Sequence, residues 1–158
     1  MKPPPGDREM MTAEMEAQLR ELLATQSLAV LATQSGAQPY CSLVAFAATD
    51  DLNDLVFATA RHTRKYANLA DHSQVALLVD NRSGREADFH EAMAATAVGQ
   101  AAEVVDEELA DARALYLAKH PHLVDFVNSP TCALLRVAVQ TYYVVTRFQR
   151  VVEYHIEP

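Results

Sequence analysis

The sequence predicts a mainly β domain with flanking helices (α+β), built around an antiparallel barrel. Short apolar or alternating segments follow one another through short polar turns, which is the pattern of consecutive antiparallel strands. Helical segments interrupt this series without the regular strand–helix alternation of a parallel sheet. The 158 residues suffice for one domain with a sizeable core. We therefore expect a flexible lead over residues 1–11 and a single domain over residues 12–158.

Three helices are predicted from their caps and apolar stripes. Thr12 is a good N-cap for an amphipathic helix that ends near Gln26. Thr63 is a good N-cap for a second helix, and Asp106 is expected to cap a third. These helices fall between strand segments, so we expect them to pack on the outside of the barrel.

The strands are predicted from apolar runs and from alternation between apolar and polar residues. Gly36 suits a tight turn between the first two strands, and Gly99 suggests a bend within a long strand. Residues 81–91 are polar and are expected to form an irregular loop. The pattern predicts roughly seven or eight strands, over residues 27–33, 38–47, 55–59, 74–80, 92–105, 131–141, 142–146 and 151–156.

Composition excludes several classes of protein. The formal charge of −8 argues against general binding to nucleic acids or anionic membranes. No apolar run approaches 18 residues, and the proline-rich start lacks the apolar segment of a secretory signal. Cys41 and Cys132 form no CxxC pair and are expected to be two buried thiols; the alternative is a disulfide between them. These features favour a cytoplasmic protein.

A cluster of cations and hydroxyls at the predicted start of the second helix indicates an anion site. Arg61, Arg64 and Lys65 lie within five residues of an otherwise acidic chain, and Thr59 and Thr63 add hydroxyl donors. A helix start also offers free N–H groups and a partial positive charge. The cluster therefore suits a phosphate monoester. The alternative is a solvated helix start with ordinary surface cations.

The order of these segments resembles the pyridoxamine 5′-phosphate oxidase-like, FMN-binding split β-barrel family. The similarity is clearest over residues 27–105 and looser over the C-terminal strands. No single motif carries it; the ordered series does. The segments of this series are Gln38-Pro-Tyr-Cys-Ser-Leu-Val44, Val56-Phe-Ala-Thr59, Thr63-Arg-Lys65, Val75-Ala-Leu-Leu-Val79 and Val98-Gly-Gln-Ala101.

This resemblance implies an FMN site shared between two subunits of a homodimer. It implies that one strand lies along the flavin ring and ribityl chain, largely through backbone groups, and that the helix start holds the phosphate. It also implies, more weakly, that two residues after the fourth strand reach the flavin. The contacts implied on these grounds are Cys41, Ser42, Leu43 and Val44 on the strand, Thr59 where the following strand ends near the cofactor, Thr63, Arg64 and Lys65 at the phosphate, and Asn81 and Arg82.

Departures from the oxidase pattern narrow the expected activity. Ser42 stands where the oxidase has a basic residue, and the chain has no tryptophan. Oxidation of pyridoxamine phosphate is therefore not expected. We expect a flavin-dependent oxidoreductase or electron carrier acting on an unidentified small molecule. The alternatives are a non-catalytic module that stores, senses or carries flavin or haem, and a cofactor-free dimerisation domain.

Two further features bear on these alternatives. Phe148 could stack on the flavin of the partner subunit, or it could belong to a polar bend between strands. Some relatives bind haem through a C-terminal histidine, which makes His155 and the region of His120 candidates for haem binding. No zinc-type spacing is present, and no metal site is predicted.

Overall fold

The computed structural model describes residues 11–147 and 150–158, and its strands close into an antiparallel barrel. The strand order is β3-β2-β1-β4-β5-β6-β7, and β3 also pairs with β6, so six strands form a ring to which β7 is added. This confirms the predicted fold class. The strands are β1 (Leu28–Ser35), β2 (Gln38–Ala48), β3 (Asp54–Ala60), β4 (Gln74–Asp80), β5 (Ala94–Glu103), β6 (Cys132–Thr146) and β7 (Arg150–His155).

Helices pack around the ring, and two of them begin at the predicted caps. Thr12 accepts a hydrogen bond from the backbone N–H of Met15, and Thr63 accepts one from that of Tyr66. The helices are α1 (Ala13–Thr25), α2 (Arg64–Asp71), α3 (Asp88–Glu91), α4 (Leu109–Lys119) and α5 (Val124–Asn128).

The barrel interior is a continuous apolar core. Strand residues alternate between the inside and the outside, so each strand contributes every second side chain to this core. Leu19 and Leu23 of α1 pack against the same core. The largest fully buried strand side chains are Leu31, Phe46, Leu55, Phe57, Leu77, Val79, Val137 and Tyr142.

Three local expectations differ from the structure. β6 is one strand of 15 residues, not two, because its first half pairs with β3 and its second half with β7. Asp106 does not cap α4: it adopts φ +55° within a 3-10 turn, and the α-helix begins at Leu109. The loop over residues 81–91 ends in α3, which Asp88 stabilises by accepting N–H bonds from Ser83 and Gly84.

The two cysteines also differ from expectation. Both are free thiols, but Cys41 is exposed on the outer side of β2, and Cys132 is only partly buried. Alternation along β2 places Val44 inside the barrel and therefore Cys41 outside it. In the described part of the chain, none of the helices has the length and hydropathy required to cross a membrane.

Candidate functional site

The start of α2 brings four of the predicted residues together. Thr63 caps the helix: its hydroxyl donates to Ala60 O at 2.9 Å and accepts from Tyr66 N at 3.3 Å. Thr59 is buried at the end of β3, and its hydroxyl lies 2.8 Å from that of Thr63. The helix then continues with Arg64 and Lys65. We call these four residues (Thr59, Thr63, Arg64 and Lys65) the α2 cluster.

The cations of the α2 cluster have no carboxylate partner. Within the described residues, Arg64 contacts the ring of Tyr40, with its guanidinium carbon 5.6 Å from the ring centroid, and forms no ion pair. Lys65 is half-buried and has neither an ion pair nor a hydrogen bond to residues 11–147 or 150–158. The N–H groups of Arg64 and Lys65 also lack an intrahelical acceptor, since they belong to the first turn. The first turn of α2 therefore carries two positive charges and two free backbone donors.

Arg61 is already engaged elsewhere. Its guanidinium donates to the carbonyl oxygens of Pro130 and Cys132, both at 3.0 Å, and pairs with Glu103. Glu103 also accepts a 2.8 Å hydrogen bond from the hydroxyl of Tyr66. The hydrogen bond to Glu103 raises the pKa of Arg61 above its ordinary value. Arg61 therefore braces the end of β3 against β5 and β6, and the structure does not bring it into the α2 cluster.

A second buried contact holds α2 in place. Asn68 is 5% exposed, and its side-chain amide donates to the hydroxyl of Thr33 on β1 at 3.0 Å. Sequence patterns put Tyr66 on the apolar face of this helix but did not predict its contact with Glu103, or that of Asn68 with Thr33, because the partners are distant in the chain. An asparagine on the apolar side of a short amphipathic helix is the one local signal for such a contact.

Strand β2 has a free edge next to the α2 cluster. It pairs with β1 from Gln38 to Ala45, but its pairing with β3 is confined to residues 46–48. Along residues 38–45, the backbone groups directed away from β1 therefore have no ladder partner in the described part of the chain. Tyr40 lies on this segment and contacts Arg64. The free edge and Arg64 thus belong to one surface.

The four predicted strand residues differ in their surroundings. Val44 is buried in the core, whereas Leu43 is 66% exposed and Cys41 is exposed. The hydroxyl oxygen of Ser42 is buried and has no hydrogen-bond partner among the described residues. An orphaned hydroxyl beside unpaired backbone groups is a donor that a polar ligand can satisfy.

Asn81 and Arg82 make contacts of their own after β4. Asn81 holds the loop after β4 by exchanging hydrogen bonds with Met93, at 2.7 Å to its side chain and 3.2 Å from its backbone N–H. Arg82 pairs with Asp80 at 3.1 Å and lines a groove of about 380 Å³ together with Leu43. Phe148 lies outside the described residues.

The two histidines considered for haem are occupied. His120 is 2% exposed, and its Nε2 lies 2.7 Å from the carbonyl oxygen of Phe46. His155 contacts the hydroxyl of Thr141 through Nδ1 and the carboxylate of Glu153 through Nε2. Both ring nitrogens of His155 are therefore engaged, and His120 is buried with its Nε2 engaged. No group of three metal-ligating side chains occurs within the described ranges.

Comparison with known proteins places this geometry among related folds. The profile of the family described as pyridoxamine 5′-phosphate oxidase matches residues 15–146. No curated protein matches the chain at a significant level.

Several solved structures share the fold. A haem-binding protein from Mycobacterium smegmatis superposes with a TM-score of 0.79 at 20% identity, covering 93% of this chain and 59% of that one. HutZ, the haem storage protein from Vibrio cholerae, gives 0.71 at 18% identity, covering 82% and 93%. An FAD-binding protein from Mesorhizobium loti gives 0.66 at 14% identity, covering 86% and 95%. The chain thus spans about three fifths of the mycobacterial protein.

Proposed function

Because the chain belongs to the pyridoxamine 5′-phosphate oxidase family, we propose that it binds FMN as a homodimer and acts as a flavin-dependent oxidoreductase or electron carrier. The observation that carries this proposal is the α2 cluster. Arg64 of this cluster contacts Tyr40 on the unpaired edge of β2, and the first turn of α2 adds a second cation and two free N–H groups. A flavin with a phosphate tail requires both features at once.

The residues present fit the chemistry of FMN. Arg64, Lys65 and the first N–H groups of α2 offer donors to a dianionic phosphate, and Thr63 fixes the helix start. The free edge of β2 and the orphaned hydroxyl of Ser42 offer hydrogen bonds to the polar atoms of the ring and the ribityl chain. When bound, FMN supplies hydride-transfer and one-electron chemistry, and the protein supplies orientation and electrostatics.

The outer side of the sheet supports the proposed homodimer. The register places Leu43, Val30 and Leu78 in one row across β2, β1 and β4. Leu43 is 66% exposed and Leu28 is 54% exposed. The solvent-facing side of an antiparallel sheet usually carries polar residues, so these exposed leucines indicate a contact surface. We call this surface the outer apolar face; its residues are Leu28, Val30, Leu43, Leu78, Val98, Tyr143, Val145 and Val151.

The outer apolar face adjoins the surface proposed to bind the cofactor. Leu43 belongs both to the outer apolar face and to the segment of β2 with the free edge. A second copy seated on this face would therefore cover the flavin that lies along β2. Burial of such a surface contributes about 25 cal/mol per Å² of apolar area.

We do not propose that this protein oxidises pyridoxamine phosphate. Ser42 stands at the position where the oxidase has a basic residue, and the sequence has no tryptophan. The substrate is an unidentified small molecule. We place the protein in the cytoplasm, which suits the free thiols of Cys41 and Cys132.

Haem is the second candidate cofactor, favoured by the fold of the haem-binding protein from Mycobacterium smegmatis. As a haem-binding protein, this chain would store or carry haem without catalysis. The burial of His120, whose Nε2 is engaged, and the two engaged nitrogens of His155 favour FMN over haem.

Purified protein titrated separately with FMN and with haemin tests the proposal. FMN should bind with quenching of flavin fluorescence and a shifted visible spectrum, at two molecules per dimer. Bleaching by NADH or NADPH would support the oxidoreductase, and a bound flavin inert to both would support a carrier. Binding of haemin without FMN would overturn the flavin assignment.

A further inference from the structure

A cleft on the side of α1 and α4 contains a lysine that the proposed function does not use. The cleft measures about 410 Å³ and lies between these helices and the turn after β2. Lys119 lies at its edge, in the last turn of α4. The other lining residues are mostly apolar (Leu23, Ala24, Ala47, Ala48, Leu52, Leu115 and Ala118), with Arg20, Thr49 and Asp50 as the polar ones.

The two groups that contact the amine of Lys119 are both uncharged. Its Nζ donates a 2.7 Å hydrogen bond to the carbonyl oxygen of Leu23 and lies 3.9 Å from the centroid of the Phe46 ring. The Leu23 carbonyl belongs to the last turn of α1 and has no partner within its helix. No carboxylate pairs with Lys119 within the described residues.

Burial shifts the protonation of this amine toward the neutral form. It lowers the pKa of Lys119 from its usual 10.5 to about 8, because the apolar surroundings disfavour the charged form. The charged neighbours around the cleft, Arg20 and Asp50, are of opposite sign. Near pH 8, a larger fraction of this amine is therefore neutral and nucleophilic than of an exposed lysine amine.

We propose that Lys119 is an acylation site, and that a short acyl group from acetyl to butyryl occupies this cleft. The lone pair of Nζ attacks the carbonyl carbon of an acyl phosphate or an acyl thioester. The new C–N bond replaces the C–O or C–S bond, and phosphate or thiolate leaves. The amine proton passes to solvent, and no oxidant or reductant is required.

The hydrogen bond to Leu23 favours an acyl adduct over an imine. A secondary amide keeps one N–H, which can continue to donate to the Leu23 carbonyl oxygen. A neutral imine keeps none and would leave that carbonyl without its partner. Acylation also removes a charge whose burial is costly and places apolar atoms against Leu52 and Leu115.

The lysines of the chain provide an internal comparison. They are Lys2, Lys65 and Lys119. Folded protein is incubated with acetyl phosphate in one arm and acetyl-CoA in the other, over pH 6–10, and each lysine is followed by peptide mass spectrometry. We expect Lys119 to be acetylated at least about fivefold faster than Lys65 near pH 8, with the rate levelling off above that pH.

Unfolding the protein tests whether the reactivity of Lys119 comes from the cleft or from the local sequence. In concentrated urea the preference for Lys119 should disappear, since it depends on burial. A preference that persists in urea, or equal rates at Lys119 and Lys65 in folded protein, would overturn the proposal. The comparison between the two arms shows which donor class the cleft accepts, and reaction with neither also overturns it.

Thermal stability tests whether the cleft houses the acyl group. Acetylated wild-type protein should melt at least about 2 °C higher than untreated protein. Lys119→Arg keeps the charge but cannot be acylated in this way, so identical treatment should leave its melting temperature unchanged. A lower melting temperature on acetylation of the wild type would contradict the proposed placement. None of these readouts involves flavin, so they stand apart from the test of the proposed function.

Discussion

Arginines that are neighbours in the sequence have different roles in this fold. Arg61 is bound by Glu103 and by two backbone carbonyls, whereas Arg64, three residues later, has no carboxylate partner among the described residues. The sequence alone suggests one shared role for these two arginines, since both lie in one basic stretch. Only the closed barrel, which brings Glu103 beside the end of β3, separates a structural cation from a candidate ligand-binding one.

Removing the cations of the α2 cluster should weaken FMN binding. Each charge-assisted hydrogen bond contributes about 1.5–3 kcal/mol, so Arg64→Ala combined with Lys65→Ala should cost about 3 kcal/mol or more. This corresponds to about a 100-fold rise in the dissociation constant, measured by titration. The protein should remain folded, because neither side chain is in the core.

A matched variant controls for net charge. Arg20→Ala combined with Arg85→Ala also removes two positive charges, but at exposed positions outside the α2 cluster. Its affinity for FMN should stay close to that of the wild type. Equal losses in both double variants would mean that only the overall charge matters.

The buried amine of Lys119 predicts a pH dependence of stability. Its pKa is about 8 in the folded protein and near 10.5 when unfolded, so the unfolded state binds more protons between these values. The destabilisation from burying the charge is therefore complete below pH 8 and disappears as the pH rises toward 10.5. Relative to Lys119→Met, the free energy of unfolding of the wild type should rise over this window, measured by urea denaturation. A difference that stays constant from pH 7 to 10.5 would contradict the burial of this amine.

At the scale of the elements, β5 depends on a glycine at its bulge. The register between β5 and β6 shifts at Val98 and Gly99. A Cβ at Gly99 would lie 2.1 Å from the carbonyl oxygen of Ala138 and 2.9 Å from its carbonyl carbon. Backbone atoms on two paired strands cannot both move away, so the close approach requires glycine.

Gly99→Ala should therefore destabilise the barrel by about 3 kcal/mol or more, in the upper range of overpacking. Gly84→Ala provides the comparison: it has open space around it but a φ of +79°, so its cost is about 1–2 kcal/mol of backbone strain. Urea unfolding with unchanged m-values measures both. Similar costs for the two variants would argue against the tight packing of β5 on β6.

Elements were predictable where their signals are local, and less so where they depend on distant partners. The caps at Thr12 and Thr63 and the bend at Gly99 follow from neighbouring residues, and the structure contains all three. The continuity of β6 depends on its exchange of partners from β3 to β7, and local alternation does not show this. The contact between Asn68 and Thr33 spans 35 residues and likewise has no local signature.

At the scale of the whole molecule, the outer apolar face predicts a dimer. Leu43→Glu would place a charge on this face and should convert the protein to a monomer, measured by sedimentation, with loss of FMN binding. Val105→Glu is the control, because Val105 is 57% exposed but lies just after β5, before α4, outside the outer apolar face. A Leu43→Glu protein that still sediments as a dimer would contradict the assignment of the interface.

The candidate site as a whole was only partly predictable. The series of segments along the chain identifies the α2 cluster and the strand beside it, because both are local and ordered in the sequence. It does not show that the edge of β2 is unpaired over residues 38–45, since this depends on where β3 begins to pair. It also predicts Asn81 and Arg82 at the cofactor, and the structure places Arg82 in a groove with Leu43, itself one of the predicted strand contacts.

The central claim is that the α2 cluster binds a phosphate group. Parallel titrations with FMN and with riboflavin, which lacks the phosphate, test it most directly. Two lost charge-assisted contacts correspond to about 3 kcal/mol or more, so FMN should bind about 100-fold or more tightly than riboflavin. Equal affinities for the two flavins would show that Arg64 and Lys65 are surface cations and would contradict the account.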